Sequence, residues 1–244
     1  MKSALVTGAN KGIGLEVAKQ LAQHGYFVYL GSRSLESGEA AVKQLNAAGL
    51  TTLEAVQLDV TNPDSIRAAR ATIGAKTPVL DVLINNAGIS GGLTQSALSA
   101  TLEQFRAVFE TNLFGVAGVT QAFIDLLRQS PQPRIVNVSS AMASLALYAD
   151  LANPSLIWLS VYQSSKIALN MYTLHLAHEL RDTPFKVNTV CPGYTKTDFT
   201  GHQGTSTVEE AGQRLVKYAL LGPDGPTGKY FSEEYFPAPA TCPW

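Results

Sequence analysis

Tyr162 and Lys166 lie four residues apart in Tyr162-Gln163-Ser164-Ser165-Lys166. That spacing puts both side chains on one face of a helix, one turn from each other. A phenol ordinarily titrates near pH ~10. An ammonium beside it favours the phenolate, so the pair is expected to bring the Tyr162 pKa down toward neutrality. Such a phenol can protonate an alkoxide as it forms, or accept the proton of an alcohol in the reverse direction. The spacing alone is weak, because many amphipathic helices contain a Tyr-x3-Lys by chance. Two further groups strengthen it. Ser140 closes the run Ile135-Val136-Asn137-Val138-Ser139-Ser140, where a hydroxyl can donate to a substrate carbonyl oxygen. Asn112 falls inside a long helical stretch, where an amide is mildly unfavourable and is usually exposed or satisfied locally. Its expected role is to hold a water that relays protons from Lys166 to solvent.

A second constellation lies near the start of the chain, in Thr7-Gly8-Ala9-Asn10-Lys11-Gly12-Ile13-Gly14. Glycines between a strand and a helix let the backbone turn tightly, and the helix N-terminus offers unpaired N–H groups to a pyrophosphate. Gly8, Asn10, Lys11, Gly12, Ile13 and Gly14 are the candidate contacts. The spacing is Gly-x3-Gly-x-Gly, which a bland glycine-rich turn also satisfies. Where an NAD site places an acid at the end of the second strand, this chain has Gly31-Ser32-Arg33. A guanidinium suits a 2′-phosphate. Arg33, helped by Lys11, therefore points to NADPH/NADP+ over NADH, although both cations also read as plain solvated charges. Asp59, followed by Val60, is placed to accept from an adenine amino group or to cap the helix near Asn62. In Asn85-Asn86-Ala87-Gly88, small residues let Asn86 and Gly88 pass close to a ribose. The amides can also tie strands together, a structural reading with weight for Asn85.

The elements that must position these groups alternate along the chain. Strands are expected over residues 4–7, 26–30, 53–58, 79–84, 134–138 and 186–190, with one more near 229–232. Helices are expected over 12–23, 38–48, 64–73, 102–127 and 164–180. Strands separated by helix-length segments imply right-handed crossovers and a parallel sheet with helices on both faces. Gly25 and Gly49 are expected C-terminal stops. Asn62-Pro63 is an expected cap and first helical residue.

The chain has 244 residues, a formal net charge of −1 and two cysteines. Near-neutral charge argues against nucleic acid or an anionic membrane as partner. Two cysteines make no disulfide framework, and a reduced, cytoplasmic setting is the expectation. The chain opens directly into an apolar strand with no basic leader, and no uninterrupted apolar run is long enough to span a bilayer. His175 and His178 could share a helix face, but no third ligand follows, so no metal is expected. Cys191 reads as a buried thiol.

In this order, the motifs resemble those of the short-chain dehydrogenase/reductase family, from Ala4 to about Thr197. Asn10-Lys11 and Arg33 resemble its carbonyl-reductase-like branch, whose members prefer NADPH. The resemblance implies one Rossmann-type α/β domain over residues 1–244, a doubly wound parallel sheet of about seven strands. It also implies a catalytic tetrad of Asn112, Ser140, Tyr162 and Lys166, with Ser140 chosen over Ser139. Further cofactor roles follow from it: Thr197, Thr195 and Gly193 at the nicotinamide carboxamide, and Val190 under the ring. The expected activity is NADPH-dependent reduction of ketone or aldehyde carbonyls. The alternatives are a secondary-alcohol or steroid dehydrogenase working in oxidation, and a non-catalytic dinucleotide sensor.

The segment between Ser140 and Tyr162 departs from the family's usual length. It carries Tyr148, Asn153, Pro154 and Trp158, which are expected to wall the substrate pocket or to cover a helix used elsewhere for subunit contacts. Monomer, dimer and tetramer all stay open. Residues 194–210 are the expected substrate loop. Over 194–208 it should form a mobile lid with short helical pieces, Gly201 and Gly204 as pivots, and Tyr194, Phe199 and His202 toward substrate. Ser140, Tyr148, Trp158 and Tyr194 are the candidate substrate contacts. With Leu147 they suit a neutral aromatic or terpenoid ketone better than a charged acid.

Overall fold

A computed structural model describes residues 1–92, 94–151 and 156–244. Its strands are β1 (Ser3–Thr7), β2 (Phe27–Ser32), β3 (Leu53–Gln57), β4 (Val82–Asn85), β5 (Arg134–Val138), β6 (Lys186–Val190) and β7 (Tyr230–Phe231). Its helices are α1 (Gly12–Gln23), α2 (Leu35–Ala47), α3 (Pro63–Gly74), α4 (Leu102–Phe109), α5 (Gly115–Leu127), α6 (Leu145–Tyr148), α7 (Ser160–Glu179) and α8 (Val208–Ala219). The strands form one parallel sheet in the order β3-β2-β1-β4-β5-β6-β7, the doubly wound architecture that the alternating pattern implies.

Period-two alternation splits the core across this sheet. Ala4 and Val6 of β1 face one side with Val17 and Leu21 of α1, Leu45 of α2 and Leu215 of α8. Leu5 faces the other with Ile66 of α3, Phe123 of α5 and Ala177 of α7. The chain reverses direction along the sheet between β1 and β4, where such folds open a crevice at the strands' C-terminal ends.

The helix signals act as expected at several ends. The Asn62 side chain accepts from the N–H groups of Asp64 and Ser65, with Pro63 opening α3. Gly25 and Gly49 take φ values of +80° and +88° just past α1 and α2. Three expectations needed correction. Helix α2 starts at Leu35 because Ser34 caps it. The expected helix 102–127 contains a π-helical turn, Glu110–Phe114, closed by the Gly115 N–H on the Glu110 carbonyl. Helix α8 was not expected at all, although Thr207 and Glu210 form a reciprocal capping box at its start.

Candidate active site

The glycine-rich loop lies at the β1–β4 crevice. Gly8 has φ +63°, and a Cβ there would sit 3.0 Å from the Cα of Ala87. Only a residue without a side chain lets the two strand exits touch. A Cβ on Gly14 would lie 2.4 Å from the Gly8 carbonyl oxygen. Thr7 Oγ1 accepts from the N–H groups of both Asn86 and Ala87 at 3.0 Å, and Asn86 Nδ2 donates to the Thr7 and Gly8 carbonyls. Asn86 therefore serves to hold the loop's shape. Side chains cap α2, α3, α4 and α8, but none caps α1, and its first turn carries no acid. A dinucleotide's pyrophosphate fits here: a backbone cradle closed to side chains, below an uncapped helix N-terminus.

Around this cradle the sequence candidates separate. Arg33 is exposed and makes no ion pair among the described residues. Lys11 does not stand free for a phosphate: its Nζ is 2.7 Å from Asp198 Oδ2, in the loop after β6. Asp59 Oδ1 accepts from the N–H and hydroxyl of Thr61 at 2.9 and 2.7 Å, a local turn, while Asn62 does the capping of α3. Val60 packs on the start of α5, where a Cβ on Gly115 would lie 2.8 Å from the Val60 carbonyl. Ile13 packs at the edge of the core and Val190 is buried within it. Thr197 reaches the cradle from the loop after β6, its Cγ2 3.7 Å from where a Gly12 Cβ would be.

The reaction centre joins the ends of β5 and α7. Tyr162 and Lys166 are both buried, at 7 % and 4 % exposure. Lys166 Nζ donates to the Val138 carbonyl at 2.8 Å and lies 5.8 Å from the Tyr162 ring centre. Burial raises the Tyr162 pKa above the ordinary phenol value, with Cys191 adding to the rise and the Ser140 side chain opposing it. Burial pushes Lys166 down to about 8, against a pull upward from Cys191. The expected fall of the Tyr162 pKa is therefore corrected. Desolvation is the leading cause, and the Lys166 ammonium is engaged by the Val138 carbonyl. Ser140 lies two residues beyond β5 in extended backbone, and its Oγ accepts from the Met142 N–H.

Asn112 is fully buried in the π-helical turn, not exposed or locally satisfied. Its Oδ1 accepts from the Ile89 N–H at 2.9 Å, and its Nδ2 donates to the Ile89 carbonyl and to Ser165 Oγ. Both amide hydrogens are used, so a water held at this side chain would donate to Oδ1. A Cβ at Gly88 would lie 3.3 Å from Asn112 Oδ1 and 3.6 Å from Lys166 Nζ, so Gly88 passes directly over both. Asn85 is structural: its Nδ2 donates to Asn137 Oδ1 at 2.8 Å and to Thr120, and Asn137 donates on to Thr173 of α7.

Aromatic rings pair in the two segments expected to line the pocket. Tyr148 meets Trp158 edge-on at 5.0 Å and donates to the Ile157 carbonyl. Asn153 and Pro154 lie outside the described residues. Phe199 brings its ring to 5.7 Å from that of Tyr162. The expected lid carries one short helical piece, Asp198–Thr200, and its base is latched. Thr195 pairs with Ser206, and Glu234 accepts from the Tyr194 N–H, Thr205 and Ser206. Gly193 also belongs to this latch, since a Cβ there would strike Arg214 and Glu234. His202 pairs with Asp198 at 3.1 Å.

A family profile described as short chain dehydrogenase matches residues 2–207. The chain belongs to the short-chain dehydrogenase family. It is 40 % identical over 238 residues to the short-chain dehydrogenase anuI of Penicillium roqueforti, covering 94 % of this chain and 93 % of that one. It is 35 % identical to (−)-isopiperitenone reductase of Mentha piperita, covering 95 % and 96 %. Among solved structures, NADPH-bound carbonyl reductase from chicken fatty liver aligns with a TM-score of 0.86 at 30 % identity, covering 100 % and 99 %. As a member of this family the chain is an oxidoreductase of the dehydrogenase/reductase type.

Two residues of this short-chain dehydrogenase's site escaped the sequence reading. Gln95 is buried; its Oε1 accepts from the Tyr162 N–H at 2.9 Å, and its own carbonyl accepts from the Ser160 N–H. It caps the helix that carries the phenol. Tyr235 stands within electrostatic reach of Tyr148, Tyr194 and Cys191, its pKa pushed up to about 12, chiefly by burial. Neither sits in a motif, and both partnerships span more than forty residues of chain.

Proposed function

We propose that this chain reduces the carbonyl of neutral, largely apolar ketones or aldehydes with NADPH, and that Tyr162 is the proton donor. The observation carrying this reading is the convergence of Tyr162, Ser140 and Lys166 beside a glycine cradle closed to side chains. When bound, the reduced nicotinamide supplies hydride to the carbonyl carbon. Ser140 donates a hydrogen bond to the carbonyl oxygen. Tyr162, kept neutral by burial, passes its proton to that oxygen as it gains negative charge. An alkoxide is the stronger base, so the proton moves downhill. Lys166, charged at pH values below about 8, stabilises the phenolate left behind. A phenol held protonated favours reduction; oxidation would need the phenolate in the resting site.

NADPH is supported by the absence of an acid at the end of β2 and by Arg33, which makes no ion pair among the described residues. The carbonyl reductase with the similar fold is described with NADPH bound. Neutral substrates are supported by Phe199 beside the phenol, by the aromatic Tyr148–Trp158 pair, and by relatives named as reductases of isopiperitenone and of salutaridine. We read the chain as one domain with the substrate loop at 194–210.

A panel of ketones and aldehydes with NADPH, followed at the reduced-nicotinamide absorbance band, tests this. Turnover is expected on neutral cyclic ketones and not on keto acids. Tyr162→Phe should reduce turnover by at least ~100-fold, the low end for a general acid, while NADPH still quenches or shifts protein fluorescence on binding. Activity within a few-fold of the unaltered protein removes Tyr162 from the mechanism.

A further inference from the structure

Ser140 is held from a direction that its own strand does not supply. Its carbonyl accepts two hydrogen bonds, one from the Ala143 N–H at 2.9 Å and one from the hydroxyl of Tyr230 on β7. The two donors fill both lone pairs and fix the peptide plane that follows Ser140. The same turn carries the Met142 N–H that donates to the Ser140 Oγ at 3.2 Å, so fixing the plane fixes the donor that orients the hydroxyl.

Tyr230 is itself firmly seated. It is fully buried, in register with Thr189 of β6. Beyond β7 the chain turns back alongside it. The Cys242 N–H donates to the Tyr230 carbonyl at 2.8 Å, the Ser232 N–H donates to the Ala240 carbonyl, and Phe231 bridges Thr241 in antiparallel fashion. The Trp244 ring lies 5.4 Å from that of Tyr230, and the Trp244 backbone oxygen accepts from the Ala146 N–H at the start of α6. Residues 230–244 thus connect the serine of the reaction centre to the helix that carries the Tyr148 wall.

We propose that Tyr230 is a positioning residue for the reduction, acting through Ser140: its hydroxyl holds the Ser140 peptide so that the Oγ faces the substrate carbonyl. This rests on the reaction assigned above to Ser140 and Tyr162. Tyr230 touches neither substrate nor cofactor and reaches the chemistry only through the Ser140 backbone.

The test is a double-variant cycle with Tyr230→Phe and Ser140→Ala, using NADPH and a neutral cyclic ketone. Phe keeps the ring and removes only the oxygen. Circular dichroism and NADPH binding should match the unaltered protein. In Tyr230→Phe, kcat should fall about tenfold, the scale of one lost hydrogen bond, with KM for NADPH unchanged. In the Ser140→Ala background the same change should cost nothing further, because the group it positions is gone. A Tyr230→Phe kcat within twofold of the unaltered protein overturns the proposal, as do losses that multiply in the double variant. If Tyr230→Phe does not fold, Trp244→Ala replaces it. That variant removes only the neighbouring ring, and should lower kcat about threefold, again with no further loss once Ser140 is Ala; a loss independent of Ser140 overturns the proposal. Tyr162→Phe runs in parallel. If it keeps turnover, the assigned reaction falls and the inference with it; if it is inactive while Tyr230→Phe is normal, the inference alone falls.

Discussion

The cofactor half and the substrate half of this molecule are built by different physics. Around β1 and β4 the site is made of backbone: Gly8 and Gly14 leave no room for a Cβ, and α1 starts without a side-chain cap. Around β5, α7 and β7 it is made of side chains reaching across long stretches of chain, Gln95 to the Tyr162 N–H, Tyr230 to Ser140 and Glu234 to the Tyr194 N–H. A backbone site tolerates no added atom but needs few partners. A side-chain site tolerates change at many positions, each of them moderate in effect. The first arrangement suits a ligand of fixed shape and the second a pocket that varies with its substrate.

The sharpest way to break this contrast is to add one methyl group to the cradle. A Cβ at Gly14 meets the Gly8 carbonyl oxygen at 2.4 Å and the Ala9 Cα at 2.9 Å, both backbone atoms with nowhere to go. Gly14→Ala should weaken NADPH binding by ~100-fold, equivalent to about 3 kcal/mol of overpacking, or prevent folding. Titration followed by fluorescence, with a thermal melt alongside, measures it. Binding within a few-fold of normal would mean that the cradle is softer than its contacts imply.

The same contrast explains what could be read from the residues alone. The alternation of strands and helices, the parallel sheet and the glycine loop follow from local signals: Gly25 and Gly49 as stops, Asn62-Pro63 as a start, and apolar runs alternating with amphipathic stretches. Tyr162, Lys166 and Ser140 were legible because their spacing and strand-end position are local too. Gln95 and Tyr230 were not, since each acts through a partner far along the chain. Asn112 was found but not its setting, because nothing in Thr111-Asn112-Leu113 announces a π-helical turn that turns the amide inward onto Ile89. The direction of the Tyr162 shift differed for a related reason: spacing locates the ammonium but not the burial that raises the phenol's pKa. Helix α8 carried its own signal in Thr207 and Glu210, hidden within a stretch read as a loop.

Arg33 offers a smaller perturbation within the cofactor half, and one carried by a side chain. Lys11 is engaged by Asp198, so discrimination between NADPH and NADH should fall mainly on Arg33. Arg33→Ala should raise KM for NADPH by 10- to 100-fold, from a charge-assisted hydrogen bond of ~1.5–3 kcal/mol, and leave KM for NADH nearly unchanged. Equal losses with both cofactors would assign Arg33 to general binding.

Lys166 belongs to both halves, and its titration shows which one it serves more. It lies under Gly88, on the cofactor side, and one helical turn from Tyr162, on the substrate side. Its pKa is pushed down to about 8 by burial, so the ammonium is present below that pH and lost above it. A reduction that needs the charge should be flat from neutrality and fall to half near pH ~8, then about tenfold for each further unit, as a single group loses its proton. If Lys166 supports the phenolate, the falling limb appears in kcat at saturating NADPH. If it mainly grips the dinucleotide, kcat stays level and the limb moves into KM for NADPH. Lys166→Met, which keeps length without charge, should abolish the limb in whichever parameter shows it. A limb that survives there belongs to another group.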